Sequence, residues 1–469
     1  MEQDLIRCFS EIVGSAHAIT DQTLIAPYLR ENRGLFHGKT SLLLRPSSTV
    51  EIASIMRLAS QTRTPIVPQG GNTGLVGAQQ PDESGCSVIL SMERLNKIRT
   101  LDIEGNYAVV EAGVVLRDLQ EKADEMGRLF PLSMGSEGSC QIGGNLSSNA
   151  GGTAVLAYGN MRDLCLGLEV VLPDGRILDD LRFVRKDNRG YDLKDLFIGA
   201  EGTLGVITAA VLKIFSKPKG RAVAFVGLNS PANALEFLSI CQCYGGFLLT
   251  AFELMDKISL QMALNYKKCD LSPFSHEHEW YVLIDVTSMR SDDDALSVLG
   301  IILEKAFEDN ILDDAVIAQS LRQRDFFWQL RESMSLAQKS VGQSIKHDIS
   351  IPIASIPDFI RDAALIIKEM VPDAQVVCFG HMGDGNLHYN VMQPVGSDPS
   401  DFLKLWSQMN HHIYCLVMHY QGSFSAEHGI GQLKKTELRA FKSSISLEIM
   451  QSIKKIFDPL GIMNPGKIL

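Results

Sequence analysis

Three glycine-rich stretches constrain this chain more than any other feature. They are PQGGNTGLVG (Pro68–Gly77), GSEGSCQIGGNLSSNAGG (Gly135–Gly152) and GAEGTLGVIT (Gly199–Thr208). Glycine costs backbone entropy, so it is favoured where φ must be positive or where a ligand comes close. Exposed N–H groups in such loops form anion-binding concavities, and the interleaved Ser, Thr and Asn add donors. The three together point to a nucleotide cofactor. Neither G-x-G-x-x-G nor G-x-x-x-x-G-K-[ST] occurs, so the dinucleotide-binding and P-loop fingerprints do not apply.

Around these loops the first half alternates short strands with helices. SLLLRPSS, CSVILSM and YAVVEAGVV read as strands, STVEIASIMRLASQTR as a helix entered through Ser/Thr, and LGLEVVLPDGRIL as a hairpin turning at Asp174-Gly175. From about Arg221 the pattern changes to AVAFVGL, LLTAFELMD, EWYVLIDVTS, DAVIAQ, HDISIPI, AQVVCFGH and NLHYNVM, strands spaced by helical runs. That order suits an antiparallel sheet backed by helices, and its two similar halves suggest a split repeat. The run DPSDFLKLWSQMNHHIYCLVMHY reads as one helix. A chain of 469 residues exceeds one core. The expected division is 1–218, two α+β subdomains around the cofactor; 219–450, an α+β substrate or cap domain; and 451–469, a segment returning to the first.

The net charge of −11 disfavours nucleic-acid or anionic-membrane binding, so any site for an acidic substrate must gather its own cations. Nine cysteines without a C-x-x-C argue against an iron–sulfur cluster and suit a reducing compartment. No signal peptide or membrane-length apolar run is read, and a cytoplasmic location is expected.

GHMGDGNLHYNV, Gly380 to Val391, places two histidines around a turn. With Gly383–Asn386 as that turn, His381 faces His388 on one side of the hairpin, and Asn390 joins them by alternation. SFSAEHGIG supplies Glu427 beside His428. Two imidazoles, a carboxylate and an open position form a catalytic metal pattern. Zinc fits best, while manganese and iron accept the same donors. His411, His412 and His419 read as structural. Arg331, Ser335 and Lys346 lie upstream in QLRESMSLAQKSVGQSIKHDIS, where single cations are usually surface charges. Without further information, a zinc hydrolase or a flavin-binding assembly module remains open.

PQGGNTGLVG, IGGNLSSNAGG and GAEGTLGVIT resemble the FAD-binding segments of the vanillyl-alcohol oxidase/p-cresol methylhydroxylase flavoprotein superfamily. RKDNRGYDLKDLFIGAEGTLG, GHMGDGNLHYNV, SAEHGIG and NPGKIL are similar to its FAD-dependent D-2-hydroxyacid dehydrogenase branch. They are closest to the D-2-hydroxyglutarate dehydrogenases; D-lactate dehydrogenases and glycolate oxidase flavin subunits share much of the set. The resemblance implies a two-subdomain FAD domain plus an antiparallel-sheet α+β cap. It implies that FAD lies against Pro68, Gly70, Gly71, Asn72, Thr73, Gly74, Leu75 and Gly77, and against Gly135, Ser136, Gly138, Ser139, Ile142, Gly143, Gly144, Asn145, Ser148, Asn149 and Gly152. Glu201, Gly202 and Ile207 would sit near the adenine end, and Asn464 would return to the flavin. Covalent members often carry histidine beside the first glycines; Asn72 here implies non-covalent FAD. Glu137 would repel phosphate and is expected to point away. His381, His388 and Glu427 would bind the metal and His428 would be the base. Asn390, Arg331, Ser335 and Lys346, with His428, would contact substrate; family members often have Thr at the Ser335 position. The implied reaction is oxidation of a D-2-hydroxy acid to a 2-oxo acid. Electrons would pass to an electron-transfer flavoprotein or another redox acceptor. No residue pattern speaks for or against a homodimer.

Overall fold

In the computed structural model, residues 1–31, 33–269 and 272–469 are described. They divide into two compact units. One comprises residues 1–151, 159–217 and 427–469; the other comprises 152–158 and 218–426.

The first unit holds two main sheets. Strands β1 (Ala18–Ile19), β2 (Leu43–Leu44), β3 (Ile66–Gln69) and β4 (Val88–Ser91) form a sheet of order β1-β2-β4-β3. Its β2, β4 and β3 run parallel, and β4 is buried throughout, as a near-continuous apolar strand requires. The Thr49–Thr62 helix follows the first of these parallel strands. Ser48 caps it by accepting from the Glu51 N–H at 3.2 Å, and Arg63 ends it in the left-handed region. Ile52, Ile55 and Met56 on this helix join one core with Val88 and Leu90 of β4. Truncating any one of them to Ala costs about 2–5 kcal/mol. The second sheet takes β5 (Ile98–Asp102), β6 (Tyr107–Glu111), β8 (Cys165–Val171), β9 (Ile177–Asp180) and β10 (Val206–Lys213) in the order β5-β6-β10-β8-β9. Strands β7 (Arg128–Leu129) and β11 (Phe215–Ser216) pair separately.

β3 is an edge strand that the C-terminal tail covers. Ile66 donates its N–H to the Ile462 carbonyl at 2.8 Å and accepts from Asn464 N–H at 2.8 Å. Ile462 and Met463 are buried in the same core as the Thr49–Thr62 helix. The tail therefore packs in the first unit.

The second unit is built on seven antiparallel strands: β12 (Gly220–Leu228), β13 (Leu249–Asp256), β14 (Trp280–Ser288), β15 (Asp314–Ile317), β16 (Ser344–Ser350), β17 (Gln375–His381) and β18 (Asn386–Met392). Their order is β15-β12-β14-β13-β17-β18-β16. Each half of the sheet is contiguous in sequence, and the halves meet where β13 pairs with β17. On one face Phe225, Leu283, Met255, Val377, Phe379 and Met392 share a core with Leu260, Phe327, Leu330 and Met334 of the Lys257–Lys267 and Leu321–Ala337 helices. On the other, Phe252 meets Phe237, and Tyr389 meets Phe359, from helices Pro231–Gly245 and Ile356–Met370. Strand alternation sorts these residues between the two faces.

Three expectations need correction. The later domain boundary falls at 426/427 rather than 450/451, because Glu427 onward hydrogen-bonds within the first unit: Ile430 and Gly431 donate to Glu201. Residues 152–158 also leave the first unit, since the Val155–Tyr158 helix packs on β13. The run after Asp398 is two helices, Pro399–Leu403 and Trp406–His419, not one.

Candidate active site

The glycine loops of the first unit enclose a cleft of about 430 Å³, lined mostly by apolar surface and backbone. The end of β3 contributes Pro68, and the loop after it Gly70, Gly71, Asn72, Thr73, Gly74 and Leu75. The second loop contributes Gly135, Ser136, Gly143, Gly144, Asn145 and Ser148, and the third Glu201, Gly202 and Ile207. The two larger loops touch: a Cβ on Gly71 would lie 1.8 Å from the Ser139 carbonyl oxygen. Only glycine permits that approach. Asn72 and Glu201 hold left-handed backbone at φ 56° and 50°, a costly state for residues with a Cβ. Asn72 is kept there by donating its side-chain amide to the carbonyls of Pro27 (3.1 Å) and Arg30 (2.8 Å).

Seven expected cofactor residues do not line this cleft: Gly77, Gly138, Ser139, Ile142, Asn149, Gly152 and Asn464. Several shape it from behind. Ser139 supplies the carbonyl against Gly71, Asn149 accepts from the Arg162 N–H at 2.9 Å, and Ile142 is buried. Asn464 ties two of the loops together, donating to Ala78 O at 2.9 Å and Glu201 O at 2.7 Å. Gly152 belongs to the second unit. Glu137 is off the wall and pairs with Arg117 at 3.3 Å.

The cleft suits FAD on its own terms. Gly135 and Gly144 have nothing within 4 Å of where a Cβ would be, so ligand phosphates can approach the backbone. Gln141, on the wall, keeps a buried Oε1 without a protein hydrogen-bond partner. Glu427 and His428 line the same cleft. Their loop is held by Glu201, whose carboxylate accepts from Ile430 N–H at 2.6 Å and Gly431 N–H at 2.7 Å. Burial pushes the Glu201 carboxyl up to about 7, against those two N–H donors and the charges of Lys434 and Lys467.

In the second unit a different group of side chains gathers on the sheet face under the Leu321–Ala337 helix. Lys346 and Asp348 on β16 stand opposite Asn390 and His388 on β18. On β17, Phe379 is the residue opposite His388. His381 thus lies two residues beyond the His388 register, not directly across. The reason is the turn: Met382–Asp384 form a 3-10 turn and Gly385 adopts φ 87°. A shift of two preserves the face, where a shift of one would have separated the rings. Their ring centroids are 6.0 Å apart.

Two acids that sequence reasoning missed lie beside these imidazoles, and one of them is hydrogen-bonded to its ring. Glu253 on β13 stands opposite His381, and its Oε1 meets His381 Nδ1 at 2.7 Å. Its Oε2 accepts from Arg331 Nε at 2.8 Å. Burial alone would raise the Glu253 carboxyl; the charges of His381 and Arg331 reverse this and hold it down at about 2. Asp348 Oδ1 is 4.0 Å from His388 Nδ1. At His381 the carboxylate bonds Nδ1, the arrangement that directs Nε2 toward a metal; the Asp348 oxygen is too far from His388 Nδ1 for a hydrogen bond. Arg331 also covers the Phe379 ring at 4.9 Å. Ser335, one turn further along the same helix, is exposed. Asn390 donates to Gln338 Oε1 at 3.0 Å. Close to His388, the Ala426 N–H donates to the Asp348 carbonyl at 3.3 Å, and Ser423 bridges Ser350. Glu427 is the next residue after Ala426.

The FAD binding domain model matches residues 40–180, and the model for the C-terminal domain of FAD linked oxidases matches residues 217–468. "Probable D-2-hydroxyglutarate dehydrogenase, mitochondrial" of Oryza sativa subsp. indica is 38% identical over 472 residues, spanning 100% of this chain and 82% of the relative. "D-2-hydroxyglutarate dehydrogenase, mitochondrial" of Arabidopsis thaliana is 36% identical over 465 residues, 98% of this chain and 80% of the relative. The solved structure of p-cresol methylhydroxylase with substrate bound superposes with a TM-score of 0.77 at 13% identity, covering 99% of this chain and 96% of that one, which speaks to fold. Cleft and matched models together define an FAD-linked oxidoreductase. Within that class the chain belongs to the FAD-linked D-2-hydroxyacid dehydrogenases. The relatives are named as mitochondrial enzymes, which overturns the cytoplasmic expectation. Cysteine usage separates reducing from oxidising compartments and says nothing about which reducing compartment. Among the described residues no helix is long and apolar enough to cross a membrane.

Proposed function

We propose that this chain oxidises D-2-hydroxyglutarate to 2-oxoglutarate, using non-covalent FAD and a divalent metal, with zinc the first choice. The observation that carries the reading is the presence of His428 on the wall of the glycine-lined cleft. Bound FAD supplies the acceptor for hydride from substrate C2. A metal held by His381, His388 and Glu427 supplies Lewis acidity toward the 2-hydroxyl. The donor set supports this: two imidazoles on one sheet face, one of them braced through Nδ1, and a carboxylate one residue beyond Ala426, whose backbone is bonded beside His388.

The remaining roles belong to side chains. His428 takes the hydroxyl proton onto a ring nitrogen. Arg331 and Lys346 bind substrate carboxylates, Arg331 through the guanidinium edge turned from Glu253. Asn390 and Ser335 orient the substrate by hydrogen bonds. The backbone N–H groups around Gly70–Gly74 and Gly143–Gly144 hold the pyrophosphate. The sequence has no C-x-x-C, so electrons leave to a separate acceptor such as an electron-transfer flavoprotein.

Anaerobic bleaching of the flavin tests the reading. D-2-Hydroxyglutarate should bleach it faster than D-malate, D-lactate, glycolate or any L-form. Faster bleaching by D-lactate would assign the protein to lactate oxidation instead. Chelation should lower turnover by about 100-fold or more while FAD stays bound. Full activity after rigorous metal removal refutes the metal assignment.

A further inference from the structure

Glu253 is a charge placed where a strand normally carries none. All eight residues of β13 are buried, and the Glu253 side chain is 1% exposed. A buried carboxylate is costly unless its oxygens are matched by cations or donors. Here both are matched, and by different functional groups: Oε1 by His381 Nδ1 at 2.7 Å, and Oε2 by Arg331 Nε, which donates at 2.8 Å, with the charge of Nη2 at the same distance but without a hydrogen bond. The strand register sets this up, since Glu253 is the direct cross-strand partner of His381. Arg331 approaches from the Leu321–Ala337 helix and rests on Phe379, two residues before His381.

We propose that Glu253 is a positioning residue that orders metal site and substrate site with a single side chain. Accepting the Nδ1 proton of His381 places that ring's lone pair on Nε2, the nitrogen that ligates. Engaging Nε of Arg331 orients the guanidinium, whose remaining N–H groups take a substrate carboxylate. Neither effect requires Glu253 to touch metal, flavin or substrate. Because both orientations hang on one carboxylate, ordering either side favours the other. Metal loading and carboxylate affinity are therefore coupled through Glu253. This rests on the 2-hydroxyacid dehydrogenase reading above.

The test uses the FAD-loaded full chain and three variants: Glu253→Gln, Glu253→Ala and Glu253→Ala combined with Arg331→Ala, beside Arg331→Ala alone. Zinc affinity is read by chelator competition and substrate binding by the split of KM from kcat. Glutamine can accept from His381 through its oxygen, but it turns an amide NH₂ toward another donor, Arg331. Glu253→Gln should raise KM at least tenfold while zinc affinity falls less than about fivefold. Glu253→Ala removes both supports and should also weaken zinc 10–100-fold, the range for losing a metal ligand's outer partner. In the double variant KM should match Arg331→Ala alone, while zinc affinity follows Glu253→Ala. Zinc affinity and KM within twofold of wild type in both Glu253 single variants would overturn the proposal. So would parallel loss of zinc, substrate and FAD binding, which marks a folding role. If Glu253→Ala fails to fold, the isosteric Glu253→Gln carries the KM–zinc split by itself. Wild-type protein bleached by no D-2-hydroxy acid would instead sink the functional reading, so the two failures are distinct.

Discussion

At the scale of single residues, Glu201 occupies a position unfavourable on two counts: left-handed backbone and a buried carboxylate. Its two backbone acceptor bonds to Ile430 and Gly431 offset part of that cost by fixing the loop that carries Glu427 and His428. The carboxyl is raised from 4.5 to about 7, so the folded state binds its proton more tightly than the unfolded state. Its contribution to stability is thus complete below pH 4.5 and is lost as pH rises toward 7. A shift of this size corresponds to about 3 kcal/mol. In the FAD-free protein, the stability difference between wild type and Glu201→Gln should change by roughly that amount, to the disadvantage of wild type, as pH goes from 4.5 to 7.5. Parallel denaturation profiles for the two proteins would rule it out. A second residue-scale expectation concerns Gly71, which faces the Ser139 carbonyl. Gly71→Ala must push the two loops apart and should weaken FAD at least about tenfold by fluorescence titration, a loss of ~1.4 kcal/mol.

At the scale of elements, the β17–β18 hairpin shows what a sequence can and cannot specify. The alternation of His381, His388 and Asn390 was legible, because side-chain direction has a period of two. The register was not, because GDGN and MGDG both make acceptable turns. What decides it is tertiary: a Cβ on Gly385 would lie 2.4 Å from the Ile351 carbonyl, and Gly380 is pressed against the Asn386 carbonyl. Glycine-rich loops were readable for the converse reason, since few requirements besides close approach or positive φ call for so many glycines. Glu253 and Asp348 escaped because an isolated acid in an apolar strand has no signature until its cross-strand partner is known. Gly385→Ala should destabilise the second unit by about 1–3 kcal/mol through its φ of 87°. It should also weaken zinc, read by chelator competition. Unchanged zinc affinity would mean that the hairpin tolerates another register.

At the scale of the whole molecule, each unit is assembled from separated pieces of chain. The chain passes between units at 151/152, 158/159, 217/218 and 426/427. A fragment ending at Lys217 includes all three glycine loops but lacks the strand of tail that pairs with Ile66. Such a fragment should be insoluble or bind FAD at least about 100-fold more weakly than the full chain, a loss of ~2.7 kcal/mol. Wild-type affinity in the fragment would show the tail to be dispensable. The same pairing has a consequence for biosynthesis. Domains usually fold in the order in which they leave the ribosome, the N-terminal one first. Here β3 acquires its last neighbour from Ile462–Asn464, which lies beyond the whole of the second unit in the chain. The unit that holds β3 therefore cannot close until the second unit has been made. While the growing polypeptide waits for that closure, an unsealed edge of β3 is the segment most in need of a chaperone.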